Sequence, residues 1–558
     1  VLEYASPGTI YLRTPGSTYG ELIVDSGTDG GTGKDRISSA TDLPSLGTGS
    51  VVNLTPQGAD AWVEGPEPFL PRWLGAWMGL VDESGVDLGV FRVAALDGFG
   101  RALLEGAGTV TGAATYRGEY RFDRVRVRRG AGLAATDPLI TPDLDLEGAS
   151  GILGPVATPD LVIEAGEVPV LTDGSLLAEN AIVRSGARVQ PAAGSELRWT
   201  VPGTLTVEAG AVIDVGGFGF AGGTSNSVGD APAWVEGSRP DAGGSHGGRG
   251  VTWDGPGPAG EVYDSVYLPQ LAGGGGGGDE DGGDGSPGGG VLVLEVGDLV
   301  LDGTLDANGG AGNDNHHPAG AGGTVVIRAA TVSGTGTVRA DGGLGRACSS
   351  SRNVGAGGGG RVALEVEQLV GFEPLEQVRA LGGSRQQCSG GVLEYASPGT
   401  IYLRPPGSTY GELIVDSGTD GGTGQDRVAA ATELPSLGTG SVVTLTPEGV
   451  DAWVEAPEPF LPRWLGAWMA LVDASGADLG VFRVVALDAS GRALLEGAGG
   501  VTGAAGYRGE YRFDRVRVRR GAGLAVTDPL ITPDLDLEGA SEILGPVATP
   551  DLVIEAGE

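Results

Sequence analysis

Short apolar runs recur along the chain, and few carry the spacing of a helix. "TIYLR" (9–13), "ELIVD" (21–25), "VLVLEV" (291–296), "TVVIRA" (324–329) and "RVALEV" (361–366) are rich in Val, Ile and Tyr and bounded by glycine. Runs of that length and composition predict strands, whereas amphipathic helices need longer stripes at a 3.6-residue period. The expected fold class is all-β.

A longer rhythm orders these runs. Gly290–Gly310, Gly323–Gly343 and Gly360–Gly383 each open on glycine and a strand, pass a second strand, and close on Gly-Gly. The first two frames have equal length, and the third is three residues longer, near "FEP". Glycine-rich arms of very different length separate them. A constant frame with variable arms is what a parallel β-helix needs, because insertions leave at one corner without disturbing the stack. The register stacks Asp306, Arg339 and Arg379, which makes Asp306–Arg339 a candidate cross-coil ion pair. It also places Cys348 and Cys388 five residues after equivalent Gly-Gly corners. Strands stack about 4.8 Å apart, which suits the roughly 4.4–6.8 Å Cα separation of a disulfide. The alternative is two free thiols.

Residues 1–167 recur at 392–558 without a gap, with about 20 differences. Both ends of the chain fall inside strand-like runs. The chain therefore reads as one full 391-residue period plus an overlap, cut from a longer tandem protein; the alternative is a two-copy protein. Residues 55–138 break the coil rhythm with "AWVEGPEPFLPRWLGAWMGLVD" and "YRGEYRFDRVRVRRGAGL". They predict a small antiparallel β-barrel or sandwich inserted between coils. In its last strand Tyr120, Phe122, Val125 and Val127 alternate with Arg121, Arg124, Arg126 and Arg128, the pattern of a half-buried antiparallel strand. The expected domains are solenoid coils at 1–54, the inserted module at 55–138, solenoid with glycine-rich arms at 139–391, and repeats of these at 392–445, 446–529 and 530–558.

Composition narrows the functions. Against 35 Lys and Arg stand 72 Asp and Glu, a formal net charge of −37. A polyanion of this size repels nucleic acid and anionic membrane surfaces. No apolar run reaches the ~20 residues of a membrane span, so no membrane insertion is expected. Glycine supplies 107 residues without a collagen period.

"GTLTVEAGAVIDVGGFGFAGG", "GGSHGGRG", "GGGGRVALEV" and "SPGTIYLRTPGSTYGELIVD" resemble the very large glycine-rich tandem-repeat surface and secreted proteins of bacteria, notably myxobacteria. The resemblance covers about three quarters of the chain. It implies a parallel β-helix, secreted or displayed on the cell surface.

Candidate chemistry is sparse. The only histidines are His246, His316 and His317, all in glycine-rich arms. No nucleophile signature stands out, so no catalytic residue is assigned and an enzyme is not expected. "GDEDGGDG" places Asp279, Glu280, Asp281 and Asp284 on one loop, oxygen ligands suited to calcium, the one cofactor suggested; a solvated acidic loop is the alternative. "GGAGNDN" (309–315) matches only the start of a calcium-binding β-roll unit. Trp62, Trp73 and Trp77 are core residues or glycan-binding anchors. Arg121, Arg124 and Arg126 either meet local carboxylates or contact the acidic flank of a neighbouring repeat. A Cys348–Cys388 bridge would imply an oxidising compartment. The expected function is structural: a repeat segment of a giant extracellular bacterial protein forming a rigid filament or surface stalk, with copies of itself as partner. The alternatives are an adhesin binding surface glycan and, third, a polysaccharide lyase or hydrolase.

Overall fold

The apolar runs form strands throughout. A computed structural model of the chain describes residues 6–28, 36, 40–147, 150–153, 156–166, 170–171, 176–191, 194, 196–252, 259–279, 282–312, 317–347, 354–387, 392–419, 425–549 and 551–554. The protein is nearly all β. It divides into two units, residues 1–192 with 199–211 and residues 193–198 with 212–558.

In the first unit three families of strands run as parallel ladders. Glu21–Asp25, Arg124–Arg128 and Leu144–Glu147 lie side by side, with Leu22, Val125 and Leu144 in one row and Val24, Val127 and Leu146 in another. These six side chains are buried, while the row between them holds Ile23, Arg126 and Asp145. Such alternation marks one buried face. Ala40–Asp42, Gly132–Ala134, Gly151–Leu153, Val170–Leu171 and Arg188–Pro191 form a second ladder. A third runs from Tyr120 and Arg121 through Leu139–Ile140 and Val156–Ile163 to Leu176–Val183.

The arginine-rich segment is therefore not one antiparallel strand. Ala113–Arg121 is antiparallel to Trp77–Asp82, whereas Arg124–Arg128 is parallel to both its neighbours. The break is made at Asp123, whose carboxylate accepts from Ser17 Oγ at 2.6 Å, Tyr19 N at 3.0 Å and Gly20 N at 2.9 Å. Alternation reports a half-buried face in either strand direction, so it could not distinguish the two.

The chain between Ala40–Asp42 and Arg124–Arg128 forms an antiparallel ring. Its order is Asp60–Glu64, Ala102–Leu104, Asp87–Leu96, Trp77–Asp82 and Ala113–Arg121. Thr48–Ser50 pairs with the last of these and Asn53–Gln57 with the first. The amide of Val51 donates to Ala114 O and that of Val52 to Glu64 O, both at 2.8 Å. One bent stretch thus serves both edges and the ring closes, which removes exposed strand edges. Val63, Phe69, Trp73, Met78, Leu80 and Leu104 fill its core. The second copy pairs its strands in the same way.

The second unit adds two further parallel ladders. Val291–Leu301, Thr324–Ser333, Arg361–Val370 and Thr400–Arg404 stack with Val291, Thr324, Arg361 and Thr400 in register. Val212–Asp214, Thr304–Asp306, Thr337–Arg339 and Val378–Arg379 stack beside them. Near "FEP" the chain forms a one-turn helix, Pro374–Gln377, and Gln377 Nε2 donates to the carbonyls of Gly334 (3.1 Å) and Gly336 (2.8 Å). Val378 then resumes the ladder opposite Val338. Asp306, Arg339 and Arg379 do share one row, but the close ion pair there joins Arg379 to Asp341 at 2.7 Å. Asp306 is desolvated instead, which raises its carboxyl above the usual range.

The glycine-rich arms carry an order of their own. Along Gly273–Gly278 successive amides donate in a cycle of three. Gly273 and Gly276 reach the carbonyls of Gly289 and Ser286; Gly274 and Gly277 reach Ser245 and Ala242; Gly275 and Gly278 reach Asp230 and Ser227. Three neighbouring segments are thus addressed in turn, each antiparallel. Residues 319–323 and 355–360 show the same three-residue period, with some partners parallel: Gly320 and Gly323 donate to Gly310 and Ala307, and Gly357 and Gly360 to Gly343 and Ala340, whereas Ala319 and Gly322 reach Gly355 and Gly358. A three-residue repeat without a strand ladder is that of the polyproline II helix. The segments pack so closely that a Cβ on Gly275 would lie 2.0 Å from Ala221 O, and one on Gly357 1.9 Å from Gly320 O. The arms are a packed, hydrogen-bonded lattice rather than insertions leaving at a corner. A strand reading counts side chains, and here glycine supplies none.

Candidate functional site

A twelve-residue island interrupts the lattice of the second unit. "EVYDSVYLPQLA" (261–272) is poor in glycine and holds two tyrosines. Asp264 folds it, with a φ of 70° in the left-handed region. Its Oδ1 accepts from Ser265 N, and its Oδ2 from Gln270 N and Leu271 N, each at 2.8 Å. Three donors on one buried carboxylate close the segment into a loop.

That loop sits in a fully buried polar cluster. Asp264, His246 and Arg361 are 0 % exposed and Tyr263 is 1 % exposed. Arg361 donates from Nε to Tyr263 O at 3.0 Å and from Nη1 to Thr400 Oγ1 at 2.8 Å. Burial lowers the Arg361 pKa, and the Asp264 carboxylate is the leading charge opposing that. His246 Nε2 lies 3.6 Å from Asp264 Oδ2, and its Nδ1 is 2.9 Å from Gly322 O. The Tyr263 hydroxyl donates to Ala272 O at 2.6 Å. The cluster ties the lattice (His246), the island (Asp264) and the ladder (Arg361, Thr400) together.

The tip of the loop enters the second copy of the repeat. Ser265 Oγ donates to Leu465 O and accepts from Tyr267 N and Leu268 N. Tyr267 stacks on Phe513, centroids 5.0 Å apart, and meets Tyr402 edge-on at 5.2 Å. Its hydroxyl accepts from Arg512 N at 2.9 Å and donates to Arg512 O at 3.1 Å. Val266 and Tyr267 are 1 % exposed. Burial of this order contributes about 2–3 kcal/mol per large side chain.

Desolvation raises the phenol pKa of Tyr402 and, in the first copy, of Tyr120, each to about 12. Tyr263, Tyr267 and Tyr511 are raised too. An unfolded tyrosine titrates near 10. A raised folded value means the fold favours the neutral phenol. This stabilisation is whole below about pH 10 and is lost as pH climbs toward about 12. Alkaline titration should therefore show tyrosinate absorbance and loss of circular dichroism rising together in that window; tyrosinate appearing near pH 10 with the fold intact would contradict it.

The residues singled out in the sequence fall in several places. Trp73 is core, edge-on to Phe69 at 5.4 Å and Tyr116 at 5.7 Å. Trp77 packs against Tyr19 at 5.0 Å. Trp62 is half-buried on the ring, under the Arg101 guanidinium at 5.3 Å; Arg492 covers Trp453 alike at 5.2 Å. The arginines meet local carboxylates: Arg121 with Glu119 at 2.8 Å, Arg124 with Asp143 at 2.5 Å, and Arg126 with Glu21 at 2.9 Å. Glu21 lies on one flanking parallel strand and Asp143 just before the other. Glu119 is buried, whereas the Arg124 and Arg126 pairs are partly exposed on both sides and contribute about 0.2–1 kcal/mol each.

Asp279 is buried and Asp284 exposed, the latter accepting from Ser225 N at 3.1 Å; Glu280 and Asp281 lie outside the described residues. Among the described residues no group of three or more His, Cys, Asp or Glu is arranged for a metal. Cys348 and Cys388, and His316, also lie outside the described residues. The residues just before the cysteines, Ala347 and Gln387, are register partners of two parallel strands.

Asp264, Arg361 and His246 were not singled out by the sequence as partners. The one available signal was the glycine-poor island itself. No family model, curated protein or solved structure matches the chain.

Proposed function

We propose that this chain is a repeat segment of a tandem-repeat structural protein, whose parallel ladders wind as β-solenoid coils into a rigid filament or stalk outside the cell. One observation carries the reading. Thr400–Arg404, near the start of the second copy, continues the ladder of Val291–Leu301, Thr324–Ser333 and Arg361–Val370 in register. Repeat is thus joined to repeat by main-chain hydrogen bonds rather than by a linker, which keeps a stack stiff. The burial of the Asp264, His246 and Arg361 cluster supports a holding role over a catalytic one, since no substrate reaches side chains with no exposed surface.

Electron microscopy of the native protein tests this. Rods with a regular axial spacing are expected; separate globular particles joined by flexible links would overturn it. The extracellular placement rests on the cysteines. The register of Ala347 and Gln387 supports a bridge between the residues that follow. Thiol labelling of denatured, unreduced protein should find neither Cys348 nor Cys388, and labelling of both would remove the argument for an oxidising compartment.

A further inference from the structure

The site that receives Tyr267 exists twice. In the first copy the corresponding walls enclose a cavity of about 340 Å³, lined by Tyr11, Leu43, Trp77, Arg92, Tyr120 and Phe122 among others. In the second copy the same residue types stand at Tyr402, Leu434, Trp468, Arg483, Tyr511 and Phe513, and there Tyr267 and Ser265 fill the space.

The empty cavity already has the shape of the filled one. The Tyr11 hydroxyl donates to Tyr19 O at 2.8 Å, and Tyr402 to Tyr410 O at 3.2 Å. Tyr120 donates to Pro44 O at 2.5 Å, and Tyr511 to Pro435 O at 2.5 Å. The Tyr11 and Phe122 rings sit 6.1 Å apart at 60°, and Tyr402 and Phe513 6.3 Å apart at 59°. What differs is cover: Tyr11 is 54 % exposed and Tyr402 2 %. A cavity of this volume is of ligand-binding size, and walls that need no rearrangement lower the cost of binding.

A second feature points to the same occupant. Thr400–Arg404 pairs with Arg361–Val370 on one edge and Glu412–Asp416 on the other. Among the described residues Thr9–Leu12 pairs with Glu21–Asp25 alone, and all four of its residues are exposed. Both the bare edge and the empty cavity are, in the second copy, covered by residues that precede it in the chain.

We propose that the first cavity is a receptor for the Asp-Ser-Val-Tyr-Leu loop of an upstream repeat of the same polypeptide, so that each repeat inserts a tyrosine latch into its successor. Tyrosine is the required anchor. Its ring fits between the counterparts of Tyr402 and Phe513, and its hydroxyl reaches the main chain of Arg121, the counterpart of Arg512. Serine then reaches Leu74 O, the counterpart of Leu465 O. This inference rests on the tandem-repeat reading for its source of the loop, but not for the binding itself.

The test is a synthetic peptide, EVYDSVYLPQLA, added to the full chain. Calorimetry should give one saturable site per chain. A photoreactive analogue at the Tyr267 position should crosslink to residues around Tyr11, Trp77 or Phe122 and leave the occupied second site unlabelled. The peptide with Tyr267→Ala should bind at least tenfold more weakly. Absence of binding, or equal binding by the alanine peptide, would overturn the proposal. If the chain itself dimerises, with Tyr267 of one molecule crosslinked into the first cavity of another, the source is a second copy and the upstream-repeat latch is wrong. Peptide binding without rods in the microscope would sink the filament and leave the latch standing.

Discussion

Gly357→Ala is expected to destabilise the second unit by about 4 kcal/mol or more, enough to prevent its folding. The new Cβ would lie 1.9 Å from Gly320 O and 2.6 Å from Gly320 C. Both atoms are main chain, so no side chain can swing aside. The Gly320 amide donates to Gly310 O at 2.9 Å, and the Gly357 amide to Gly343 O at 3.1 Å. Making room breaks several such bonds at once. The control is Gly98→Ala. Nothing lies within 4 Å of that Cβ, and the second copy carries Ala489 at the equivalent position. It should change stability by less than about 0.5 kcal/mol. Urea unfolding followed by circular dichroism measures both. Equal, small effects would show that the glycine lattice is loose.

Asp264→Ala carries the second large effect, about 3–5 kcal/mol, the range for removing one partner from a buried charged network. Three amides, of Ser265, Gln270 and Leu271, lose their acceptor, and the buried Arg361 loses its main opposing charge. The alanine also keeps the left-handed backbone, φ 70°, without a side chain that tolerates it. Asp264→Asn separates the parts, because it restores an acceptor and suits that backbone while leaving Arg361 uncompensated. It should recover only part of the loss. Full recovery in denaturant melts would mean that the Asp264 charge is unimportant to Arg361.

The two effects mark where sequence reading succeeded and where it stopped. Strands such as Val291–Leu301 and Thr324–Ser333 were legible because each buries a row of side chains at fixed spacing. The frame lengths gave their stacking, and Asp306, Arg339 and Arg379 do share a row. Which carboxylate meets Arg379 was not legible, because Asp341, two residues beyond Arg339, takes it. Direction failed at Arg124–Arg128, since alternation is blind to it. The lattice was hidden for a different reason: Gly273–Gly278 carries no side-chain pattern, and its order lies wholly in where six amides point. The Asp264 site joins residues 246, 264, 361 and 400, a constellation with no local spacing to betray it.

Even the stretch "TIYLR" shows the limit. Its letters are the same at Thr9 and Thr400, yet one strand is exposed and the other buried. A strand that reads identically twice can be open in one place and covered in the other.

The lattice also sets an order of events. Glycine gives up more backbone freedom than any other residue when it is fixed, and some lattice bonds join segments far apart in sequence, as Gly275 to Asp230 or Gly355 to Asp241. Loops must close before such bonds reward them. The ladders, which bury rows of apolar side chains as they pair, are therefore expected to form first and to act as the template on which the glycine segments condense. In pulse-labelling hydrogen exchange, the amides of Val325, Ile327, Val362 and Leu364 should become protected before those of Gly275 and Gly357.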